Sequence, residues 1–379
     1  MIKVLHVISD TGIGGAGVLL CHLLSEFDRT TLDLSVALPR GSHLARRIRA
    51  LGIRVTELTF GADRSADLRA VPELCRLLRS EKPDILHTHS ALYARLAGFF
   101  CRVPVLINTR HCADMKERPS PLLRPFLRSF ERLTGSITVA TADYVKEVLV
   151  RRGVPSEKIC VIHNGSRPLA VLTEEQKTAT RRKYGLSPSD FVVGMVARLE
   201  TGKGHETFLR AAKLCAKQHP RIRFIIVGDG SQAKLLHQLS NRLGLANRII
   251  FTGFLSDVTP IMNILHLNVN CSERSETSSL ALSEGMSLGV VPVVSTCGGN
   301  AHMVGNGQCG ILFPPGDELA LSQAILSLER DRPRLASLSE QCLLRFRQHF
   351  TAQAMTQRVE MLYRRLAEGA PAGAGRSLF

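Results

Sequence analysis

The chain has no tryptophan, and only 5% of its 379 residues are aromatic. Proteins that bind single-stranded RNA stack bases on aromatic side chains, and we find no strand with that signature in the sequence. Nucleic acid is therefore a weak candidate partner, although the formal net charge of +16 calls for an anionic one. A bilayer surface and a phosphorylated substrate are the other anionic partners that this charge suits.

The sequence also lacks a run of about 18 apolar residues, the length that a membrane-spanning helix needs. The segment Met1 to Asp10 has one lysine and an apolar stretch broken by His6. That stretch is too short for a secretory leader and is typical of a first β-strand. The ten cysteines include no C-x-x-C pair, which predicts free thiols rather than disulfides or a zinc site. We expect a cytoplasmic protein.

Helix and strand patterns alternate along the chain, which predicts parallel, doubly wound α/β sheets. The length exceeds the roughly 250–300 residues at which a single core stops growing, so two domains are expected. A second alternating unit begins at Phe191. We place the N-terminal domain at 1–168, the C-terminal domain at 169–350, a last helix at 351–367 and a disordered Gly/Ala/Pro-rich tail at 368–379.

The first strand leads into a glycine-rich loop, Gly12 to Gly17, that satisfies G-x-G-x-x-G. The second predicted strand ends in Pro39-Arg40, with no acidic residue to hold an NAD ribose. We predict that the loop lets a substrate or phosphate approach the backbone, with a purely structural turn as the alternative. Histidines follow later strand ends, where such sheets bind ligands. A loop histidine is commonly a structural hydrogen-bonding group, but His111 stands where a ligand-facing group is expected.

Pro121 to Leu133 places apolar residues on one helical face and arginines on the opposite face. A basic amphipathic helix of this kind can lie on an anionic bilayer. The alternative is a core-facing helix with a solvated arginine stripe, and Pro125 would distort its first turns. The pattern leaves both interpretations open.

A glycine-flanked loop after the strand Phe191 to Val196 carries two cations, Arg198 and Lys203. Arginine offers a planar fork of donors and lysine a point charge, and both bind phosphate oxygens. Because the loop lies at a strand end and precedes a helix, we predict that both cations bind one diphosphate. The alternative is two ordinary surface cations.

The stretch from Ser272 to Gly299 contains Glu276 and Glu284, eight positions apart. On a continuous helix they would lie within about 80° of each other. The predicted helix runs from Ser279 to Leu288, with Ser278 or Ser279 as its N-cap and Gly289 at its end. Glu276 then lies in the preceding loop.

The same stretch combines two kinds of binding group. A helix N-terminus suits a phosphate, and a carboxylate accepts hydrogen bonds from the vicinal hydroxyls of a ribose or hexose. The strand Val290 to Val294 and the Gly298-Gly299 loop would converge on the same site. The stretch therefore predicts a nucleotide-sugar site, with solvated helix glutamates as the alternative.

In this order and spacing, the motifs of the chain resemble those of the retaining family-4 glycosyltransferases of GT-B architecture. The resemblance runs across nearly the whole chain. It implies two Rossmann-like domains facing a cleft, with the last helix crossing back onto the N-terminal domain. The segments that carry it are Gly14–Ala16, Lys82–His89, Ile162–Gly165, Arg198–Gly204, Gly228–Gly230, Glu276–Glu284 and Gly298–Gly299.

The resemblance also assigns site residues. Those nearest the chemistry are Arg198 and Lys203 on the donor diphosphate, with Glu276 and His111 on the transferred sugar. The other donor-binding residues are Glu284 on the ribose, the backbone amides of Ser279 and Leu280 on the distal phosphate, and the glycines Gly15, Gly228 and Gly253. Glu273 is a rival to Glu276 as the sugar-binding acid.

By the same resemblance, the enzyme would move a hexose from a nucleotide-diphospho-sugar to a saccharide or lipid-linked acceptor. Retention is usually explained in this family by front-face attack, in which the leaving phosphate takes the acceptor proton. The sequence has no D-x-D motif, and the two cations can replace a divalent ion, so no metal cofactor is expected. The basic charge suits surface-polysaccharide or glycolipid assembly, with the protein docked on the inner face of the membrane.

Three alternatives belong to other functional classes. A non-hydrolysing sugar-nucleotide epimerase shares the fold but needs carboxylates for elimination and readdition. The cation pair with the two spaced glutamates favours transfer over that chemistry. The second alternative is a basic module that binds membranes or nucleic acid, and its only support is the net charge. The third alternative is an inactive scaffold.

Overall fold

The computed structural model describes residues 1–12, 14–89, 91–111 and 133–369. These residues form two compact units. The first unit comprises Met1–Ser166 and the segment from Ala352 onward, and the second comprises Arg167–Thr351. Nearly all of the basic amphipathic segment 121–133 and of the tail 368–379 lies outside the described residues.

The first unit contains a seven-stranded sheet with the order β3-β2-β1-β4-β5-β6-β7. All of its strand pairs are parallel. Strands covered by helices on both faces read as continuous apolar runs, and the opening strand is buried from its third residue onward. The strands are β1 (Ile2–Ile8), β2 (Leu32–Pro39), β3 (Arg54–Leu58), β4 (Ile85–His89), β5 (Val105–Arg110), β6 (Ile137–Ala140) and β7 (Ile159–Val161).

The last helix of the chain packs within the first unit, against the first helix. The backbone N–H of Asp28 donates to Glu360 Oε1 at 2.7 Å. The ring of Tyr363 is buried and stacks on Phe27, with centroids 5.7 Å apart. The described helices of this unit are Gly15–Glu26, Leu44–Ala50, Ala70–Glu81, Leu92–Phe100, Asp143–Arg151 and Ala352–Ala367.

The second unit contains a six-stranded parallel sheet with the order β10-β9-β8-β11-β12-β13. Its core is built from the apolar faces of these strands and the helices beside them. The strands are β8 (Phe191–Val196), β9 (Ile222–Val227), β10 (Ile249–Phe251), β11 (Leu267–Asn270), β12 (Val291–Ser295) and β13 (Ile311–Phe313). The helices are Glu174–Lys183, His205–Gln218, Ala233–Arg242, Thr259–Met262, Leu280–Met286, Asn300–Met303, Glu318–Arg330 and Arg332–His349.

The predicted pair of doubly wound parallel sheets is confirmed. The element boundaries differ from the predicted ones by a few residues. The helix expected at Ser279 to Leu288 spans Leu280–Met286, because Ser279 is its N-cap and the chain turns at Gly289, which has φ +76°. The strand expected to begin at Val290 begins at Val291.

The carboxyl ends of the central strands of the second unit carry the predicted donor-binding loops. The loop after β8 holds Arg198 and Lys203, and the loop after β11 holds Glu276. In open parallel sheets this edge is where ligands bind. In the described part of the chain, no helix has the length and apolarity that crossing a bilayer requires.

Candidate functional site

A glycine at the end of the β8 loop sets the position of Lys203. Gly204 has φ +76°, and a Cβ at this position would collide with the carbonyl oxygen of Cys271. Glycine alone combines this backbone conformation with so close an approach. The β8 loop therefore lies directly against the end of β11, and Lys203 reaches the next loop.

Lys203 and Glu276 form an ion pair in which the Lys203 Nζ atom donates to Glu276 Oε2 at 2.9 Å. The residue Glu276 is 9% exposed. Two neutral groups donate to the same oxygen, Asn270 Nδ2 at 3.1 Å and Ser272 Oγ at 2.9 Å. Three donors from two places in the chain, the β8 loop and the end of β11, thus fix the orientation of this carboxylate.

The charge state of Glu276 results from two opposing effects. Burial is the largest single effect and opposes ionisation, but the charge and hydrogen bond of Lys203, with Asn270 and Ser272, outweigh it. The pKa of Glu276 is consequently held below its ordinary value. Glu276 is therefore a carboxylate at neutral pH.

The Gly298-Gly299 loop holds the backbone of Glu276. The N–H of Gly299 donates to the Glu276 carbonyl at 2.9 Å. Gly298 has φ +57°, and a Cβ there would collide with the same carbonyl oxygen. The predicted convergence of the Gly-Gly loop on this site is thus present in the second unit.

Glu284 lies on the helix that follows Glu276. The Ser279 side chain caps this helix by accepting a hydrogen bond from the N–H of Leu282 at 3.4 Å. Glu284 is partly buried. Its burial, together with the negative charge of Asp257, raises its pKa to about 7. Glu284 therefore titrates near neutrality, whereas Glu276 does not.

The remaining predicted donor-site residues of the second unit lie on adjoining loops. Arg198 is exposed, and within the described ranges its side chain makes no hydrogen bond or ion pair. Gly228 has φ +141°, its Cβ position would collide with the Ala197 carbonyl, and its N–H donates to Gly253 O at 2.9 Å. The two glycines thus join the loops after β9 and β10 to the start of the Arg198 loop.

Glu273 does not share the Lys203 contact. It is exposed, and its Oε1 accepts a hydrogen bond from Thr207 Oγ1 at 2.9 Å. Of the two rival acids, the structure therefore brings Glu276 to Lys203.

The first unit contains two of the predicted site residues, Gly15 and His111, which are far apart in the sequence. Gly15 is the first residue of the first helix, and among the described residues no atom beyond its chain neighbours and its own helix backbone lies within 4 Å of the position that a Cβ would take. His111 directly follows β5, and its Nε2 shares a hydrogen bond of 3.1 Å with His89 Nδ1. Burial lowers the pKa of His111 to about 4. His111 is therefore a neutral imidazole at physiological pH.

The site contains groups that the sequence did not single out. Asn270 and Ser272 hold Glu276, and their position at the carboxyl end of β11 was the available signal. His6 and Tyr363 contact the histidines near His111. The sequence indicates only that His6 lies in the first strand and Tyr363 in the last helix, so no signal points to these contacts.

Comparisons with known proteins agree with this architecture. Residues 13–167 match the model of Glycosyltransferase Family 4, and residues 176–345 match that of Glycosyl transferases group 1. The UDP-Gal:alpha-D-GlcNAc-diphosphoundecaprenol alpha-1,3-galactosyltransferase of Escherichia coli is 27% identical, over 78% of this chain and 79% of its own. The 2-deoxystreptamine N-acetyl-D-glucosaminyltransferase of Streptomyces fradiae is 28% identical, over 81% and 77%.

Solved structures show the same fold. HepE of Anabaena in complex with UDP superimposes with a TM-score of 0.81 at 22% identity, over 96% of this chain and all of that one. A glycosyltransferase of Rickettsia africae gives a TM-score of 0.84 at 19% identity, over 97% and 99%. The chain belongs to the family-4 glycosyltransferases and has their GT-B fold. It is a glycosyltransferase.

Proposed function

We propose that this enzyme transfers a hexose from a nucleotide-diphospho-sugar to a saccharide or lipid-linked acceptor, with retention of anomeric configuration. The observation that carries the proposal is the Lys203–Glu276 ion pair at the carboxyl edge of the second sheet. This pair supports the proposal because a cation, which suits a diphosphate, lies directly beside an acid, which suits sugar hydroxyls. The relatives are glycosyltransferases by name, which argues against the epimerase alternative.

Lys203 is proposed to stabilise the departing diphosphate. An ammonium has three donor protons, and the contact with Glu276 uses one of them. The other two can reach phosphate oxygens, where negative charge develops as the glycosidic bond breaks. Exposed Arg198, on the same loop, is proposed as the second cation, and the pair takes the place of a metal ion. An assay in the presence of a chelator tests this last point, because a metal-dependent enzyme would lose its activity.

Glu276 is proposed to bind hydroxyls of the transferred hexose. Its three donors all contact Oε2, so Oε1 is the oxygen that a sugar hydroxyl can approach. Because the carboxylate is already oriented, binding a sugar requires little further ordering.

The other roles follow the family pattern. Glu284 is proposed to accept from the ribose hydroxyls, and the backbone amides of Ser279 and Leu280, at the start of a helix, to meet the distal phosphate. In the first unit, His111 is proposed to contact the transferred sugar. The glycines proposed to let the donor approach the backbone are Gly15, Gly228 and Gly253.

Retention is tested by the NMR coupling constant of the anomeric proton in the reaction product, which should show the same anomeric configuration as the donor.

A thermal-shift screen with UDP-, GDP-, ADP- and TDP-sugars tests the proposal. A nucleotide sugar is expected to raise the melting temperature of the wild type and of Lys217→Ala, an exposed site with the same charge change. In Lys203→Ala the ligand-induced shift should largely disappear, since a lost charged hydrogen bond costs about 1.5–3 kcal/mol, or tenfold or more in affinity.

The ligand-induced shift, rather than the melting temperature itself, is the quantity to compare. Lys203→Ala also leaves the Glu276 carboxylate without its cation, which lowers the stability of the free protein. An equal ligand-induced shift in Lys203→Ala and the wild type would show that the ion pair is structural and that the proposal is wrong.

Donor affinity should depend on pH through Glu284. With its pKa raised to about 7, the side chain is largely protonated at pH 6 and ionised at pH 8, and only the carboxylate accepts on both oxygens. We expect affinity to rise between these values, by at most about tenfold per pH unit. Calorimetry at both pH values measures it, with an intact nucleotide sugar because its diphosphate does not titrate there. Glu284→Gln should bind with little pH dependence, and an unchanged slope in that variant would contradict the role.

The acceptor is proposed to be an intermediate of surface-polysaccharide or glycolipid assembly, met at the inner face of the membrane. Two observations support this proposal, the diphosphoundecaprenol substrate named for the Escherichia coli relative and the net charge of +16. Co-sedimentation with liposomes should increase with their content of anionic lipid and decrease with salt. If the protein does not co-sediment with anionic liposomes, the proposed membrane association is wrong, but the proposed glycosyl transfer is unaffected.

A further inference from the structure

Ser295, the last residue of β12, lies beside the start of the loop that carries Glu276. Strands β11 and β12 are parallel, and their last pair joins Asn270 to Val294. Ser295 therefore stands one residue beyond this pair, level with the first residues of the loop after β11. It is 0% exposed, so its hydroxyl has to find its partners within the protein.

The Ser295 hydroxyl holds the backbone of Ser272. Its Oγ atom donates to the Ser272 carbonyl oxygen at 2.6 Å, across 23 positions of the chain. Because a carbonyl group can only accept, the direction of this hydrogen bond is certain. The lone pairs of the same Oγ atom face Asn300 Nδ2, which lies 3.3 Å away. A side chain of β12 thus ties the loop after β11 to the sheet.

Asn270 holds Ser272 from its other side. The Ser272 N–H donates to Asn270 Oδ1 at 3.0 Å, and Asn270 Nδ2 donates to Glu276 Oε2 at 3.1 Å. An N–H can only donate and a carboxylate can only accept, so a single orientation of the Asn270 amide makes both bonds. Asn270 therefore fixes the peptide group before Ser272, and Ser295 fixes the one after it.

The fixed backbone directs the Ser272 hydroxyl at Glu276. This hydroxyl has one proton, and it donates to Glu276 Oε2 at 2.9 Å. Ser272 is 1% exposed, so water does not replace this donor. A serine has only one torsion between its backbone and its oxygen, and that torsion is confined to staggered positions. A shift of the Ser272 backbone would consequently move the donor away from the carboxylate.

The orientation of the Glu276 carboxylate is sensitive to this donor. Lys203 contacts the same oxygen, but its ammonium is at the end of a flexible stem and can follow a carboxylate that turns. The terminal torsion of a glutamate is broad, so the group turns easily when it is not held. Without Ser272, Asn270 is the one remaining donor of the three that does not have a flexible stem.

We propose that Ser295 is a positioning residue for the sugar-binding acid. By holding the Ser272 carbonyl, it keeps the Ser272 hydroxyl on Glu276 Oε2 and so leaves Oε1 for the hydroxyls of the donor sugar. This deepens the proposed function and rests on it in one respect, the contact of Glu276 with the hexose. Ser295 acts through Ser272 and is not itself proposed to touch the substrate.

The first test is the pKa of Glu276 in the ligand-free protein, followed by ¹³C NMR of its carboxyl carbon. The Ser272 hydrogen bond helps to hold this pKa below its ordinary value, so its loss should raise the pKa. We expect a higher pKa in Ser295→Ala and in Ser272→Ala than in the wild type, and Glu276→Gln identifies the signal. An unchanged pKa in either folded serine variant would overturn the proposal.

Ser322→Ala is the matched control. Ser322 belongs to the same unit, is 1% exposed, and its Oγ donates to the Leu319 carbonyl oxygen at 2.8 Å. The variant loses the same kind of buried hydroxyl and should lose stability, but the pKa of Glu276 should not change. If Ser322→Ala raised this pKa as much as Ser295→Ala does, the shift would report a general loss of stability and the proposal would be wrong.

The second test is calorimetry with the nucleotide sugar that the thermal screen selects among UDP-, GDP-, ADP- and TDP-glucose, and with its nucleoside diphosphate. Ser295→Ala should lose about two- to tenfold in affinity for the nucleotide sugar, the range expected for a lost hydrogen bond. Its affinity for the nucleoside diphosphate should match that of the wild type. An equal loss for both ligands would contradict an effect that passes through Glu276.

The structure indicates that Ser295→Ala will fold. The peptide group that follows Ser272 keeps its other hydrogen bond, in which the N–H of Glu273 donates to Gly202 O at 2.9 Å. If the alanine variant nevertheless fails to fold, Ser295→Cys takes its place, because a thiol has a similar shape and is a weaker donor. The same changes are expected at smaller size, and a wild-type pKa and affinity in Ser295→Cys would then overturn the proposal.

The role of Ser295 and the proposed function fail separately. If Glu276→Gln keeps wild-type affinity for the nucleotide sugar, the proposed sugar contact is wrong, while the pKa still tests the hold of Ser295 on Glu276. If Glu276→Gln loses affinity while Ser295→Ala keeps both the wild-type pKa and the wild-type affinity, the sugar contact stands and the role of Ser295 is wrong.

Discussion

The ion pair between Lys203 and Glu276 is the constraint on which the second unit's site depends. A carboxylate this deeply buried is tolerated only when paired and hydrogen-bonded. Asn270 and Ser272 complete its coordination on the same oxygen as Lys203. This arrangement requires glycine at two positions. Gly204 lets the loop of Lys203 lie against the end of β11, and Gly298 lets the Gly-Gly loop lie against the backbone of Glu276.

The two acids of the site differ in their surroundings, and this difference separates their roles. Glu276 has a cation, and its pKa is depressed despite burial. Glu284 has burial and a neighbouring acid, and its pKa is raised to about 7. In the proposed function, Glu276 would accept from sugar hydroxyls throughout the physiological pH range, whereas the capacity of Glu284 to accept would change around neutral pH.

Local patterns in the sequence were sufficient to predict the two sheets and the loops that carry the site. The alternation of strands and helices sets the fold, and residues after strand ends share one edge of a sheet. Local patterns could not pair Lys203 with Glu276, which lie 73 positions apart, because the contact depends on how closely two loops approach. The sequence left Glu273 as a rival to Glu276, and the contact of Glu273 with Thr207 distinguishes the two acids. The partnership of His6 with Tyr363 spans 357 positions and depends on where the last helix packs, which periodicity does not encode.

The account is tested most directly by comparing how Glu276→Gln binds a nucleotide sugar and the corresponding nucleoside diphosphate, measured by calorimetry. If Glu276 binds the hexose while Lys203 binds the diphosphate, this variant should lose about tenfold or more in affinity for the nucleotide sugar, equivalent to about 1.4 kcal/mol. Its affinity for the nucleoside diphosphate should be unchanged or slightly higher, because Lys203 no longer shares its charge with a carboxylate. An equal loss for both ligands, or no loss for either, would contradict the division of roles between the two residues.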